Sequence, residues 1–175
     1  MQPRIPRQST QEQDSPRQDA ARPSDELTAV VSGARRRAVR DGDRHVDTAH
    51  LLHSLLEHDP AVHAVLGEGP QVARLLGYLV QRSIGYGLRW QGAVEDSGAV
   101  PVVPDADGLS PLAADAMRDS CLRAARRGDP LARGLDLLGA LVRDPRARAV
   151  EVLHRAGIDV DDLRARIDKG QGAVP

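Results

Sequence analysis

The chain has 175 residues, enough for one moderate domain or two small ones. Hydrophobic residues make up 41% of it but aromatic residues only 2%, so its core must be built mainly from Leu, Val and Ala, a mixture that favours helix packing over sheet packing. The formal net charge of −1 excludes an overall electrostatic field that would recruit nucleic acid or an anionic membrane surface.

Residues 1–23 are rich in Gln, Arg, Pro, Ser and Asp, and they predict a disordered polar tail because they cannot bury enough apolar area to offset the entropy of ordering. They offer no apolar stretch for a signal peptide, and the chain has no run of 18 apolar residues for a membrane span. Cys121 is the only cysteine, which excludes an intrachain disulfide and a cysteine-based zinc site. We therefore expect a cytoplasmic protein.

Four helices are predicted between residues 24 and 84. Ser24 is suited to cap the first helix, and Gly42 is suited to end it. The second helix is predicted by DTAHLLHSLLEHD at 47–59, where Asp47 or Thr48 can cap and four leucines form a stripe. A short third helix follows a proline at its first turn, and PQVARLLGYLVQRSI predicts the fourth.

Residues 85–108 are rich in Gly, Pro and Asp and predict a long connector. Trp90 lies in this connector. An aromatic side chain there can anchor a partner, or it can fold back over the groove between the two halves of the chain.

The same order of elements begins again at Ser110, which is suited to cap a helix that ends at Gly128. Three further helices are predicted by LARGLDLLGALVRD, PRARAVEVLHRAG and DVDDLRARID. Residues with matching roles in the two halves lie 86 positions apart, namely Ser24 and Ser110, Gly42 and Gly128, and Leu51 and Leu137. The sequence therefore predicts an all-α domain at 24–168 made of two tandem four-helix repeats with pseudo-two-fold symmetry (24–84 and 109–168), followed by a flexible tail at 169–175.

The segment GDRHVDTAHLLHSLLEHD resembles the first repeat signature of the amino-terminal domain of Clp-type AAA+ chaperones, especially the ClpC and ClpA branch. In that family the signature reads Gly-His-x-x-(Ile/Val)-Gly-Thr-Glu-His-Leu-Leu, and the matching residues here are Gly42, Val46, Thr48, His50, Leu51 and Leu52. GDPLARGLDLLGALVRD resembles the second copy, with Asp136 in place of the histidine, and EVLHRAGIDVDDLRARI is similar to the repeat ending. The resemblance covers roughly residues 23–168.

The sequence departs from that family at positions with a known role. The glutamate before the signature histidine, which in some members helps to bind phosphorylated arginine, is Ala49 in the first repeat and Leu135 in the second. Loss of both carboxylates removes the groups that would pair with a guanidinium, which argues against phosphoarginine recognition. The threonine that begins each repeat is replaced by Ser24 and Ser110, which keep the hydroxyl. The chain has no G-x-x-x-x-G-K-[ST] loop, so no ATPase is expected.

The histidines of the second helix raise the question of a metal site. His50 and His53 have a spacing that two metal ligands can use, with further ligands from His45, His58 or Glu57. The H-E-x-x-H motif is absent, and the resemblance gives His50 a simpler role, in which it bonds to the preceding loop. A core helix is the favoured interpretation, and we predict no metal, no cofactor and no catalytic residue.

The resemblance implies a non-enzymatic module that binds proteins or peptides and is linked to the Clp proteolysis system. It could be an adaptor, an accessory subunit, or a decoy for ligands of the chaperone's N-domain such as cyclic peptide antibiotics, and its partners would be Clp chaperone or peptidase components, Clp substrates or peptide-like ligands. The candidate binding residues are Ser24, Thr48, Ser110, Arg133 and Trp90.

Three alternatives remain open, and one of them is an enzyme. The run Arg35, Arg36, Arg37 and Arg40 is typical of a solvated helix face, but it leaves a small DNA-binding regulator unrelated to Clp as the main alternative. The chain could also be a fragment of a longer chaperone.

Overall fold

The computed structural model of the protein describes residues 21–67, 69–82, 93–96 and 108–172. Helices account for 71% of this part of the chain, which confirms the all-α prediction. No helix within these ranges is both long and apolar enough to cross a membrane.

Eight helices are present in the described ranges. In chain order they are α1 (Asp25–Asp41), α2 (Thr48–His58), α3 (Pro60–Leu66), α4 (Pro70–Arg82), α5 (Pro111–Arg126), α6 (Gly134–Leu141), α7 (Arg148–Arg155) and α8 (Val160–Gly172). Two short strands, β1 (Arg22–Pro23) and β2 (Leu131–Ala132), pair in parallel, with Arg22 opposite Leu131 and Pro23 opposite Ala132. A second parallel bridge joins Val46 to Leu109.

The helix starts follow the capping chemistry expected from the sequence. Ser24 Oγ accepts a hydrogen bond from the Leu27 amide at 3.1 Å, and Ser110 Oγ accepts one from the Ala113 amide at 3.2 Å. At the other end of α1, Gly42 adopts the left-handed conformation with φ of 74°, which a residue with a Cβ rarely adopts.

The core is built mainly of aliphatic side chains from all eight helices. Its largest fully buried side chains are Leu27, Leu51, Leu52, Leu55, Leu75, Leu79, Leu137, Leu138, Leu141, Leu153, Leu163 and Ile167. Helix α1 packs on α2 and α5 packs on α6, while α3 and α7 each contact helices from the opposite half of the chain. This arrangement brings the starts of several helices together.

The structure differs from the sequence prediction at both ends of the domain. Arg22 and Pro23, which the prediction placed in the polar tail, form β1, because pairing with β2 satisfies their backbone groups. Residues 169–172, predicted as a flexible tail, belong to α8, where the Gln171 side chain donates a 2.8 Å hydrogen bond to Asp136. Most of the predicted connector at 85–108, including Trp90, lies outside the described residues.

Candidate functional site

The structure brings four of the five predicted site residues together as two pairs. Thr48 begins α2 and Ser110 caps α5, and both side chains bind the same carboxylate, that of Glu95. Ser24 lies beside Arg133 because its amide donates to the Ala132 carbonyl at 2.9 Å. The fifth residue, Trp90, lies outside the described ranges.

The Glu95 carboxylate accepts hydrogen bonds at the starts of three helices. Oε2 accepts from the Thr48 amide at 2.8 Å and from the Ser110 hydroxyl at 2.9 Å. Oε1 accepts from the Thr48 hydroxyl and from the Arg148 amide, which is 2.7 Å away and begins α7. Four donors therefore surround one carboxylate, and each lies where a helix exposes unsatisfied amides and partial positive charge.

Arg148 and Asp47 extend this cluster. Arg148 Nη1 lies 2.7 Å from Asp47 Oδ2, and Nη2 donates to the Ala93 carbonyl at 2.8 Å. Asp47 caps α2, since its Oδ1 accepts from the His50 amide at 3.0 Å. The Arg148 guanidinium thus binds both Asp47, which caps α2, and the backbone carbonyl of Ala93, two residues before Glu95.

Burial raises the pKa of Glu95 above its ordinary value, and the negative charge of Asp47 adds to this effect. The hydrogen bonds from Thr48 and Arg148 favour the charged form and oppose the rise. Glu95 is only 5% exposed, so its charge depends on these donors in place of water.

Beside Arg133, the buried Asp136 side chain accepts a hydrogen bond from the backbone amide three residues before it, as His50 does in α2. Its Oδ2 accepts from the Arg133 amide at 2.9 Å, as His50 Nδ1 accepts from the Asp47 amide at 3.1 Å. The carboxylate of Asp136 also binds Arg127 Nη1 at 2.6 Å. Hydrogen bonding to Asp136 is the largest of the effects that raise the pKa of Arg127.

A possible metal-ligand group lies at the end of α1. His50 Nε2 is 3.3 Å from Asp43 Oδ2 and 3.6 Å from Asp41 Oδ2. His50 Nδ1 lies 3.1 Å from the Asp47 amide nitrogen and 3.0 Å from Asp47 Oδ1, so Asp47 holds the imidazole ring at the start of α2. This contact gives His50 an anchoring role, and its Nε2 lies within reach of a metal ion shared with Asp41 and Asp43.

His53 is also buried, one turn further along α2. Burial lowers its pKa to about 4, and the nearby positive charges of Arg37 and Arg40 add to this effect. His53 is therefore neutral at physiological pH and belongs to the packed interior.

Two clefts lie beside this cluster; the first reaches it at Thr48, and the second is lined by Glu95 itself. Thr48 and Ala147 line a cleft of about 750 Å³, whose other walls come from α5 and the α6–α7 turn. Glu95, Ser110 and Arg148 line a second cleft of about 570 Å³. A ligand can therefore approach these helix starts from two sides.

Glu95, Asp47 and Arg148 complete the site, and none of the three was predicted from the sequence as a site residue. Asp47 was recognised only as a possible cap. Arg148 is one of many arginines in the chain, and no motif distinguishes it from the others. Glu95 lies in the predicted connector, and its role depends on contacts with residues 47 and 53 positions away along the chain.

Neither a protein-family model nor a curated protein matches the sequence. The arrangement itself combines preformed hydrogen-bond donors at helix starts with adjacent clefts. The donors hold the Glu95 carboxylate, and the clefts beside them leave room for a peptide-like group.

Proposed function

We propose that the chain is a non-enzymatic protein- or peptide-binding module made of two tandem four-helix repeats, similar to the amino-terminal domain of Clp-type chaperones. It would act in Clp proteolysis as an adaptor, an accessory subunit or a decoy for N-domain ligands. The observation that carries the proposal is the reciprocal pairing of the segments that lead into α1, α2, α5 and α6.

These segments pair crosswise between the halves of the chain. Under the 86-residue offset, Pro23 is equivalent to Leu109, and Val46 is equivalent to Ala132. Pro23 pairs with Ala132, and Val46 pairs with Leu109. Exchanging the halves therefore turns one pairing into the other, as a pseudo-two-fold axis requires.

Helix packing supports the same relationship. α2 packs on α7, and its counterpart α6 packs on α3. α4 packs on α7, and its counterpart α8 packs on α3. Each short third helix thus lies against the second and fourth helices of the other half, which supports two tandem repeats over a chance similarity of helix order.

The chemistry of the site supports a ligand other than phosphoarginine. Ala49 is buried and Leu135 is partly buried, so neither position supplies a carboxylate for a guanidinium. The donors at Thr48, Ser110 and Arg148 are taken up by the Glu95 carboxylate, so a partner would contact the clefts beside this cluster.

Affinity purification from the source organism tests this proposal. The tagged full chain is used as bait, an unrelated helical domain of similar size and charge serves as control, and captured proteins are identified by mass spectrometry. We expect enrichment of a Clp chaperone, a Clp peptidase or Clp substrates over the control. Capture of the same proteins by both baits would argue against a role in Clp proteolysis.

A further inference from the structure

Three potential metal ligands meet where α1 ends beside α2. They are Asp41, the last residue of α1, Asp43, two residues later, and His50 in α2. His50 Nε2 lies 3.3 Å from Asp43 Oδ2 and 3.6 Å from Asp41 Oδ2. Zinc bonds of about 2.0–2.2 Å at tetrahedral angles place two ligand atoms about 3.3–3.6 Å apart. The imidazole and each carboxylate are therefore spaced as two zinc ligands are.

The Asp41 carboxylate is buried at the unfavourable end of a helix. Its side chain is only 8% exposed, and its Oδ1 makes no hydrogen bond within the described residues. Arg40 Nε lies 3.7 Å from Oδ1, but the arginine side chain is 62% exposed, so water competes for its charge. Because the end of α1 carries partial negative charge and a buried carboxylate lacks its hydration, a cation at this place would stabilise Asp41.

The second half of the chain has a cation at the equivalent place. The three residues lie 86 positions before their counterparts Arg127, Asp129 and Asp136. Arg127 binds both of these carboxylates, with Nη1 2.6 Å from Asp136 Oδ1 and Nη2 2.9 Å from Asp129 Oδ2. The guanidinium thus joins the end of α5 to α6. The first half has an acid where the second half has this arginine, so a metal ion there would supply the missing positive charge.

Asp47 holds the His50 ring in a position that allows a metal bond. Nδ1 lies 3.0 Å from Asp47 Oδ1, which can accept a proton from Nδ1 and leave the Nε2 lone pair to a metal, as carboxylates behind metal-bound histidines commonly do. The Asp47 amide, 3.1 Å from Nδ1, favours the other tautomer, so metal binding would move the ring proton from Nε2 to Nδ1. Asp41 and Asp43 line the cleft of about 570 Å³ that also borders Glu95, which gives an ion a path from solvent.

We propose that Asp41, Asp43 and His50 bind a divalent transition-metal ion, and that Zn²⁺ suits this set of one imidazole and two carboxylates. Three protein ligands leave a fourth position for water or for a side chain of a partner. The ion ties the end of α1 to α2, as Arg127 ties the end of α5 to α6. The inference uses the correspondence between the two halves of the chain, and it does not depend on the Clp assignment.

Zinc titration of the full-length chain, first freed of metal with a chelator, tests the proposal. Calorimetry with ZnCl₂ measures stoichiometry and affinity, and long-range ¹H–¹⁵N spectra of the histidine rings show which histidine binds. We expect one zinc ion per chain, a higher thermal midpoint of unfolding with zinc, and a change of tautomer at His50. MgCl₂ should bind at least about tenfold more weakly, because magnesium prefers oxygen ligands in octahedral geometry.

Substitution of the acids separates this site from adventitious zinc binding. Asp41→Asn and Asp43→Asn keep the shape of each side chain and remove its charge, and each should weaken zinc binding about tenfold or more. Asp41→Asn should also raise the midpoint of the zinc-free protein, since it removes a buried negative charge at the end of α1. Asp129→Asn changes the counterpart acid in the second half, and it should leave zinc affinity unchanged.

Asp41→Arg gives the first half the cation of the second, and it should abolish zinc binding in a folded protein. If Asp41→Asn or Asp41→Arg does not fold, Asp43→Asn decides the question, because its side chain is 27% exposed and carries less of the packing. The proposal is overturned if the wild-type chain does not bind one zinc ion, or if zinc changes the rings of other histidines and leaves His50 as it was. Zinc affinity that survives Asp43→Asn would overturn it as well.

Discussion

Arg148 Nη1 and Asp47 Oδ2 lie 2.7 Å apart, although the two residues are separated by 101 positions in the chain. The bond ties the start of α7 to the residue that caps α2. The side chains are only 11% and 2% exposed, so each charge depends on the other for compensation.

We expect Arg148→Ala to lower the free energy of unfolding by about 3 kcal/mol, because it leaves Asp47 buried without its cation. Urea denaturation followed by circular dichroism measures the loss. Arg143→Ala is the control, since Arg143 is 69% exposed where it pairs with Asp119 and its loss should cost less than about 1 kcal/mol. Equal losses in the two variants would contradict the prediction.

Ser24 and Ser110 provide a comparison of two similar caps. Ser24→Ala should cost about 1 kcal/mol through the lost cap, because the other side-chain partner of Ser24, Glu26, is exposed. Ser110→Ala should cost about 1.5–3 kcal/mol more, because Ser110 also donates to the Glu95 carboxylate. The difference between the two variants, measured by denaturation, should disappear in a Glu95→Ala background. A difference that persists there would show that Glu95 is not its cause.

Two helical glycines should respond to alanine in opposite directions. A Cβ on Gly33 would overlap with Ser54 Oγ, which is fixed by its 2.7 Å hydrogen bond to the Val30 carbonyl. Gly33→Ala should therefore destabilise the protein by about 1–3 kcal/mol despite the better helix propensity of alanine.

Gly77→Ala is the matched control, since a Cβ there meets no atom of the described chain within 4 Å. It should stabilise α4 by up to about 1 kcal/mol. Thermal unfolding of the two variants measures both effects, and a stabilising Gly33→Ala would show that α1 and α2 pack less closely than described.

His53 should make the protein less stable as the pH falls from 6.5 towards 4. Its pKa is lowered to about 4 in the folded protein, so the unfolded chain takes up a proton first. The stability linked to His53 is complete above pH 6.5 and is lost as the pH falls through this range. Denaturation of His53→Gln at the same pH values should show a flatter profile than the wild-type protein. An unchanged slope would mean that His53 is not buried in its neutral form.

Local sequence signals predicted the helices well because their causes are local. Ser24 and Ser110 cap helices in the way that side-chain oxygens near free amides generally do, and Gly42 takes the conformation that its position requires. The prediction of a flexible tail from residue 169 was wrong because α8 continues to Gly172. Gln171 there bonds to Asp136, which is 35 positions away and leaves no local signal in the sequence.

The site was predictable only in part. Thr48 and Ser110 were identified, but the group that joins them was not, because Glu95 lies in a segment without helical periodicity. Nothing next to Glu95 in sequence marks it as buried. Its burial follows from four donors that the fold brings together from three helices.

Direct binding to purified Clp components tests the central claim. The wild-type chain is immobilised, and the source organism's Clp chaperone, Clp peptidase and a Clp substrate are passed over it in turn. Arg133→Glu reverses the exposed charge of a candidate binding residue at the start of α6, and Arg36→Glu reverses an exposed charge on α1 as the control. We predict saturable binding of at least one component, weakened about tenfold or more by Arg133→Glu and unchanged by Arg36→Glu. Absence of binding by all three components to the folded wild-type chain would contradict the account.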